Sequence, residues 1–286
     1  MTTRSGPTVR RRRLGAELRV LRDSAGVRPE EAAAVLECSV SKISRIELGR
    51  VSVRTKDLRA LLDRYGVTDK AQRDALFALA RQSSQPGWWH AFGDAVPRWF
   101  EIYIGLEADA AYISKYDHQL VPGLLQTAEY AREIIRVHQP TISEDDLDAK
   151  VALRMERQKR LTESDPPHLM VVLDEAVLRR PVGGAETMSA QLAHLIEANR
   201  LPTVTVQVLP YSAGAHPAMG SAFMILGFPD ASDHEVVYIE ELRSSLYIED
   251  PTDVREYQRH LNQIRSISLD VPTSVRMIEH AMEDLT

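Results

Sequence analysis

The sequence predicts an α+β protein overall, an all-α domain of five helices followed by a larger mixed α+β domain. Three observations predict it. Helical periodicity runs to about residue 84 with no alternating stretch, β-type alternation begins only near residue 168, and the charge changes sign between the two regions. Residues 1–85 carry 18 basic and 10 acidic side chains, whereas residues 86–286 carry 17 and 31, so the formal net charge of −6 conceals +8 on one part and −14 on the other. Such a split points to a nucleic-acid-binding piece joined to something else. A length of 286 residues suits about two domains. No run approaches the ~18 apolar residues of a membrane span, and the Arg-rich start lacks the apolar region of a signal peptide, so a cytoplasmic protein is expected. The single cysteine, Cys38, excludes an internal disulfide and any CxxC-type zinc or redox site.

The first helix holds Leu14, Leu18 and Leu21 at i, i+4 and i+7 and stops near Gly26. The second starts at Pro29, a favourable first helical position, and buries Ala32, Ala33 and Leu36. Ser39 caps a short third helix, whose apolar stripe is Ile43 and Ile46 and whose end falls at Gly49. A fourth carries Leu58, Leu61, Leu62 and Tyr65 up to Gly66, and a fifth begins behind Thr68 and uses Ala75, Leu76 and Leu79. These helices assign residues 14–84 to one domain, preceded by a basic N-terminal arm over residues 1–13. The polar stretch from Gln82 to Gly87 contains Pro-Gly and places a linker at 85–90. In residues 91–286, strands are predicted at 168–173, 203–209, 222–228 and 235–239, with a fifth at 245–248, and helices at 127–138, 143–161, 186–199 and 252–268. The run from strand 168 through helix 186 to strand 203 has the length of a parallel crossover, and the strands flanking Pro229 to His234 form an antiparallel hairpin.

Residues 29–49 carry the first chemistry. A helix-turn-helix needs a small residue where its helices touch, a tight turn, an N-cap, and polar side chains facing the groove. Ala33 is the small contact, Ser39 the cap, and Val40, Ser41, Lys42, Ser44 and Arg45 point away from the Ile43 and Ile46 stripe. The segment CSVSKISRIELGR resembles the recognition helix of Xre-type repressors, and the five-helix pattern around it matches that fold. The resemblance implies double-stranded DNA as the partner, with Val40, Ser41 and Arg45 at base edges and Ser39 and Lys42 nearer the phosphates. Arg45 is the best specificity candidate, because its planar fork can donate bidentately to guanine. Two departures stand out: the glutamine that commonly opens the preceding helix is Pro29, and the glycine usual in the turn is Glu37. Backbone amides at that helix start are expected to take over the phosphate contact, and Glu37 to tolerate the turn. Arg10, Arg11, Arg12 and Arg13 form a basic run that reads either as an arm on phosphates and a narrow minor groove or as a solvated tail.

The larger domain offers little recognised chemistry. HExxH, GxSxG and the P-loop are absent from the sequence, and neither a catalytic residue, a metal site nor a cofactor is expected. Asp174 and Glu175 follow a strand as potential paired carboxylates, with Asp174 better explained as the N-cap of a short helix through Leu178. Arg179 and Arg180 could hold an anion or simply face solvent. His216, in the loop from Pro210 to Gly220, marks with Asp174 a candidate ligand pocket, against the alternative of a structural or solvent-facing histidine. Trp88 and Trp89 read as a staple between domains or as a cover for a core.

The stretches YIGLEADA, VPGLLQTAEYAR, VVLDEAVLRRPVGG, VTVQVLPYSAGAHPAMGSAF and VVYIEELRSSLYIED resemble the C-terminal domain of actinobacterial WhiJ-like regulators, in which an Xre-type head precedes a domain of poorly defined biochemistry. That resemblance implies a transcriptional regulator, often encoded beside a small BldB-like partner protein and sometimes described as antitoxin-like. The leading expectation is a homodimeric, sequence-specific DNA-binding regulator, not an enzyme, whose C-terminal domain dimerises and receives a signal from a partner protein or ligand. The alternatives are an antitoxin-like module that binds a small basic partner and autorepresses its operon, and an enzyme with a DNA-binding head. A partner would meet the acidic surface, for which Glu240, Glu241, Glu249 and Asp250 are the candidates, together with Glu235 and the run from Glu144 to Asp148.

Overall fold

The computed structural model describes residues 7–85, 87–230, 233–242 and 244–285. They divide into two compact units, Met1–Ala91 with Phe100–Asp109 and Asp230–Asp233, and Phe92–Trp99 with Ala110–Pro229 and His234–Thr286.

The first unit contains α1 (Pro7–Ser24), α2 (Pro29–Val35), α3 (Val40–Glu47), α4 (Thr55–Arg64) and α5 (Lys70–Ser83). Leu14 and Leu18 of α1, Ala32 and Ala33, Ile43 and Ile46, Leu58, Leu61 and Leu62, and Leu76 and Ala80 close one apolar core. Gly26, Gly49 and Gly66 sit just past three helix ends at φ of +66°, +64° and +72°, where a side chain would clash with its own backbone. Three boundaries differ from expectation. Helix α1 begins at Pro7, so the arginine run lies within helix rather than in an arm; residues 1–6 of the expected arm lie outside the described residues. Helix α5 is capped by Asp69, which accepts the amide of Gln72 at 2.9 Å and displaces Thr68 from that role, and Ala75 is exposed rather than buried. Finally, the expected linker at 85–90 runs into 3-10 turns over Trp88–Ala95, broken at Gly93, and Trp89 is buried in the first unit while Trp88 is exposed. Most of α6 (Arg98–Asp109) also belongs to this unit; a Cβ on Gly105 would stand 1.9 Å from Thr8 Oγ1, so the glycine permits close approach to α1.

The second unit is built on β1 (Tyr112–Asp117), α7 (Ala128–His138), α8 (Glu144–Gln158), β2 (His168–Asp174), α9 (Glu175–Arg179), α10 (Gly184–Ala198), β3 (Val204–Leu209), β4 (Phe223–Gly227), β5 (Val236–Glu240), β6 (Ser245–Ile248), α11 (Pro251–Ile267) and α12 (Val271–Glu283). The sheet order is β3-β2-β1-β4-β5-β6, with β1, β2 and β3 parallel and β4, β5 and β6 antiparallel. The crossover from β2 through α10 to β3 and the β4–β5 hairpin both match the sequence expectation; β1, α6 and α12 were not anticipated. Tyr116, Val172, Phe223, Ile225, Val237 and Ile239 share one face and pack beneath Val254, Leu261 and Ile264 of α11. Because β3 ends and β4 begins at the same edge of the sheet, the segment 210–222 between them runs past the C-terminal ends of β2 and β1.

Candidate nucleic-acid interface and strand-end cluster

Helix α3, the expected recognition helix, is fixed from both ends. At its start Ser39 Oγ accepts the Lys42 amide at 3.3 Å, satisfying one of the donors a helix leaves open. Ile43 and Ile46 are buried, whereas Ser39, Val40, Ser41, Ser44 and Arg45 are exposed and Lys42 is half-buried. The turn before it rests on Glu37, the one non-glycine residue at positive φ (+49°) among the described residues, with its side chain in solvent.

At the end of α3, Glu47 is held by Arg22 of α1. Arg22 Nε donates to Oε1 at 2.6 Å, Nη2 to Oε2 at 3.1 Å, and Nη1 to the Val27 carbonyl at 3.0 Å. The two side chains are only 8% and 10% exposed, so this bidentate pair works in a low-dielectric setting. Hydrogen bonding to Glu47 holds the guanidinium above its ordinary pKa despite burial. Burial and then the Glu47 charge push the Tyr65 phenol up to about 12. Gly15 lets α1 lie directly on the end of α3, since a Cβ there would meet Glu47 O at 2.4 Å and Ile46 O at 2.5 Å. Sequence reading missed the pair, although Arg22 continues the Leu14–Leu18 stripe and Glu47 lies one helical turn after Ile43.

The start of α2 does not meet the expectation of an amide site for phosphate. Pro29 has no N–H, Glu31 Oε2 already accepts the Arg28 amide at 2.9 Å, and Glu30 and Glu31 put carboxylates in the first turn. That amide, and then Arg64 and Arg28, pull the Glu31 carboxyl below its ordinary range, and Arg64 pairs with it at 2.8 Å. Basic side chains instead continue beyond α3, where Arg50, Arg54 and Lys56 are exposed together with Arg45. The basic density of residues 45–56 was the available signal.

The arginine run is partly turned inward. Arg10, Arg11, Arg12 and Arg13 are all half-buried; burial lowers the Arg11 pKa, opposed by Glu101, and a Cβ on Gly49 would stand 2.5 Å from the Arg12 Cα. Arg13 donates to Asp233 at 3.1 and 2.7 Å and bridges Asp230 at 2.9 Å within the same unit.

In the second unit, Asp174 and His216 are brought to one place through Tyr116, which sequence reading had not singled out. The Tyr116 hydroxyl lies 3.3 Å from His216 Nε2, and His216 Nδ1 accepts the Ala218 amide at 3.3 Å. Asp174 caps α9 by accepting the Ala176 amide at 2.8 Å, as expected. Burial and then the charges of Asp174 and Asp117 raise the Tyr116 pKa. Glu175 is buried, accepting the Tyr211 amide at 3.0 Å and Arg179 Nε and Nη2 at 3.2 Å; Arg179 also bridges Asp284.

The candidate partner carboxylates do not gather. Glu240 and Glu241 lie at one end of the β5–β6 ladder and Glu249 and Asp250 at the other, roughly 13 Å of strand away. Asp250 is also the cap of α11, accepting the Thr252 amide at 2.8 Å. Glu144 and Asp148 are matched by Arg132 and Arg136. Among the described residues no group of three or more His, Cys, Asp or Glu could hold a metal ion, and no helix is long and apolar enough to cross a membrane.

Residues 13–76 match a helix-turn-helix domain. No curated protein and no solved structure matches the chain. Residues 100–280 match the domain of unknown function DUF5753, and by that match, which covers more than half its length, the chain belongs to the DUF5753 family.

Proposed function

We propose that this protein is a sequence-specific DNA-binding transcriptional regulator acting as a homodimer in the cytoplasm. The observation that carries the reading is the exposed face of α3, Val40, Ser41, Ser44 and Arg45, held in register by the Ser39 cap and the buried Arg22–Glu47 pair. Arg45 reads a base edge, Val40 and Ser41 sit beside it, and Lys42 with Arg50, Arg54 and Lys56 holds phosphates. One recognition helix of 8 residues reads too few base pairs to find a site in a genome, so two copies on a symmetric operator are needed. The second unit supplies the two-fold contact and receives a signal, in the manner of the WhiJ-like regulators it resembles, whose small BldB-like partner is one candidate source.

The test is quantitative binding of the full chain to a selected operator and to random DNA. Arg45→Ala is expected to cost ~1–3 kcal/mol on the operator and to relax one position per half-site, whereas Lys42→Ala weakens all sequences about equally. Equal loss on both DNAs for Arg45→Ala would overturn the base-reading role. Sedimentation of the full chain as a monomer under binding conditions would overturn the dimer.

A further inference from the structure

We propose that the second unit binds a small organic cation, an ammonium on an aromatic or apolar body, at the C-terminal edge of its parallel strands, with Asp174 as counter-charge beside the rings of Tyr116 and Tyr211. The proposal rests on the reading of this unit as the part that receives a signal, and it names the chemistry of that signal.

Position is the first argument. Open α/β sheets take ligands outside the carboxyl ends of parallel strands, where the strand order turns back. Here β1 has β2 on one side and β4 on the other, and the segment 210–222 passes along that edge. It is tied down at Tyr211, whose amide donates to Glu175 at 3.0 Å, and at His216, 3.3 Å from the Tyr116 hydroxyl.

Charge is the second. The neighbouring carboxylates are matched, Asp117 by Lys115 at 3.0 Å and Glu175 by Arg179 at 3.2 Å. Asp174 accepts one amide and has no lysine, arginine or histidine within salt-bridge distance among the described residues, yet it is half-buried. A carboxylate so placed gains strongly from a cation that arrives with its own donors. Asp174 is also the charge that acts most strongly on both phenols, ahead of Asp117 at Tyr116 and ahead of Glu175, Arg179 and Arg180 at Tyr211. Strand register places the carboxylate at the same strand ends as both rings, since Tyr116 pairs with Val172, two residues before Asp174, and Asp174 pairs with Leu209, two residues before Tyr211. Neutral aromatic rings beside a carboxylate suit an organic cation better than a hydrated metal ion.

The third argument is an unsatisfied atom. The His118 ring stacks on Tyr116 at 6.1 Å between centroids, and its Nδ1 is buried without a hydrogen-bond partner among the described residues. Unpaired buried polar atoms are rare in folded proteins, and this one belongs to the ring stacked on Tyr116 at the same strand end. Tyr211, 59% exposed, provides the open side.

The experiment uses the full chain with tyramine as probe and 4-ethylphenol as its uncharged counterpart, read by calorimetry and thermal unfolding. Tyramine is expected to bind at millimolar concentration and raise the unfolding temperature, and 4-ethylphenol to do neither. Asp174→Asn keeps an oxygen for the Ala176 amide, so it retains the unfolding temperature of the free protein while losing about tenfold in tyramine affinity. Tyr211→Ala, on the exposed side, loses affinity severalfold. Equal binding of the two probes, unchanged tyramine affinity in Asp174→Asn, or no tyramine binding at all overturns the proposal. Tighter binding of trilysine than of tyramine also overturns it, because the cation would then be a partner's side chain. None of these outcomes touches operator binding by α3, so this proposal and the DNA-binding reading fail separately.

Discussion

Glu37 holds a left-handed backbone conformation that costs a residue with a Cβ about 1–2 kcal/mol, and its exposed side chain returns no burial. Glu37→Gly is therefore expected to stabilise the protein by about 1 kcal/mol, read as a higher urea midpoint, without changing the operator sequence selected. Departure from glycine at this turn is visible in the sequence, and the structure shows the strain it implies. Arg22 and Glu47 were harder to read, since 25 residues separate them and each ends an apolar stripe as though it were a surface residue. Glu47→Ala should cost about 1.5–3 kcal/mol, because Arg22 loses its bidentate partner while keeping Asp23 at 2.7 Å and the Val27 carbonyl at 3.0 Å, and Glu47→Ala with Arg22→Met should lose less than the sum of the two single changes. A double-mutant cycle by urea unfolding checks this. Asp174 and His216 were legible as residues, but their meeting point was not, because Tyr116 lies on a strand that the sequence concealed.

At the scale of elements, α1 and α3 touch through glycine. Gly15→Ala would place a methyl group 2.4 Å from a backbone carbonyl of α3, so α1 must shift and carry Arg22 with it. A loss of about 1–3 kcal/mol in stability is expected, with weakened operator binding from a displaced recognition helix. Helices α11 and α12 open on Asp250 and Asp270, whose carboxyls are pulled below the ordinary value, Asp250 by the amides of Thr252 and Asp253 and Asp270 by the side chain and amide of Thr273. Both are lower in the folded state, so their stabilisation is fully present above the unfolded carboxyl value of 3.8 and is lost as pH falls through the folded values. Asp250→Asn, which keeps a capping oxygen, should flatten that acid-side slope in thermal unfolding at graded pH. Strand β1 escaped the sequence because Lys115 and Asp117 look like solvent-facing residues; they lie on one face of the strand and neutralise each other at 3.0 Å, which lets a polar-looking segment sit in mid-sheet. Helix α12 escaped because Val-Pro-Thr-Ser reads as a turn, whereas Asp270 caps it and Pro272 occupies its first turn, where a missing N–H costs nothing.

At the scale of the whole molecule, the charge split and the five-helix pattern were legible because they depend on composition and on local periodicity. The sheet order was not, because β1 pairs with β2 and β4, segments more than fifty and one hundred residues further along the chain. That separation has a consequence for how the chain is made. The apolar core of the first five helices draws on residues from Leu14 to Ala80 only, so its contacts are complete while most of the chain is still on the ribosome. Strand β1 emerges soon afterwards and must wait through the synthesis of about a hundred residues for β4, holding an open backbone edge in the meantime. A chain stopped at residue 215 should therefore keep the helical signal of its first domain but pellet on centrifugation, while a chain stopped at residue 85 stays in solution; soluble, monomeric material from the longer fragment would show that the edge is protected during synthesis by something other than β4. In the growing protein the helix-turn-helix domain is thus closed before the sheet exists, so a chain cut short within the sheet carries a folded first domain joined to an open strand edge.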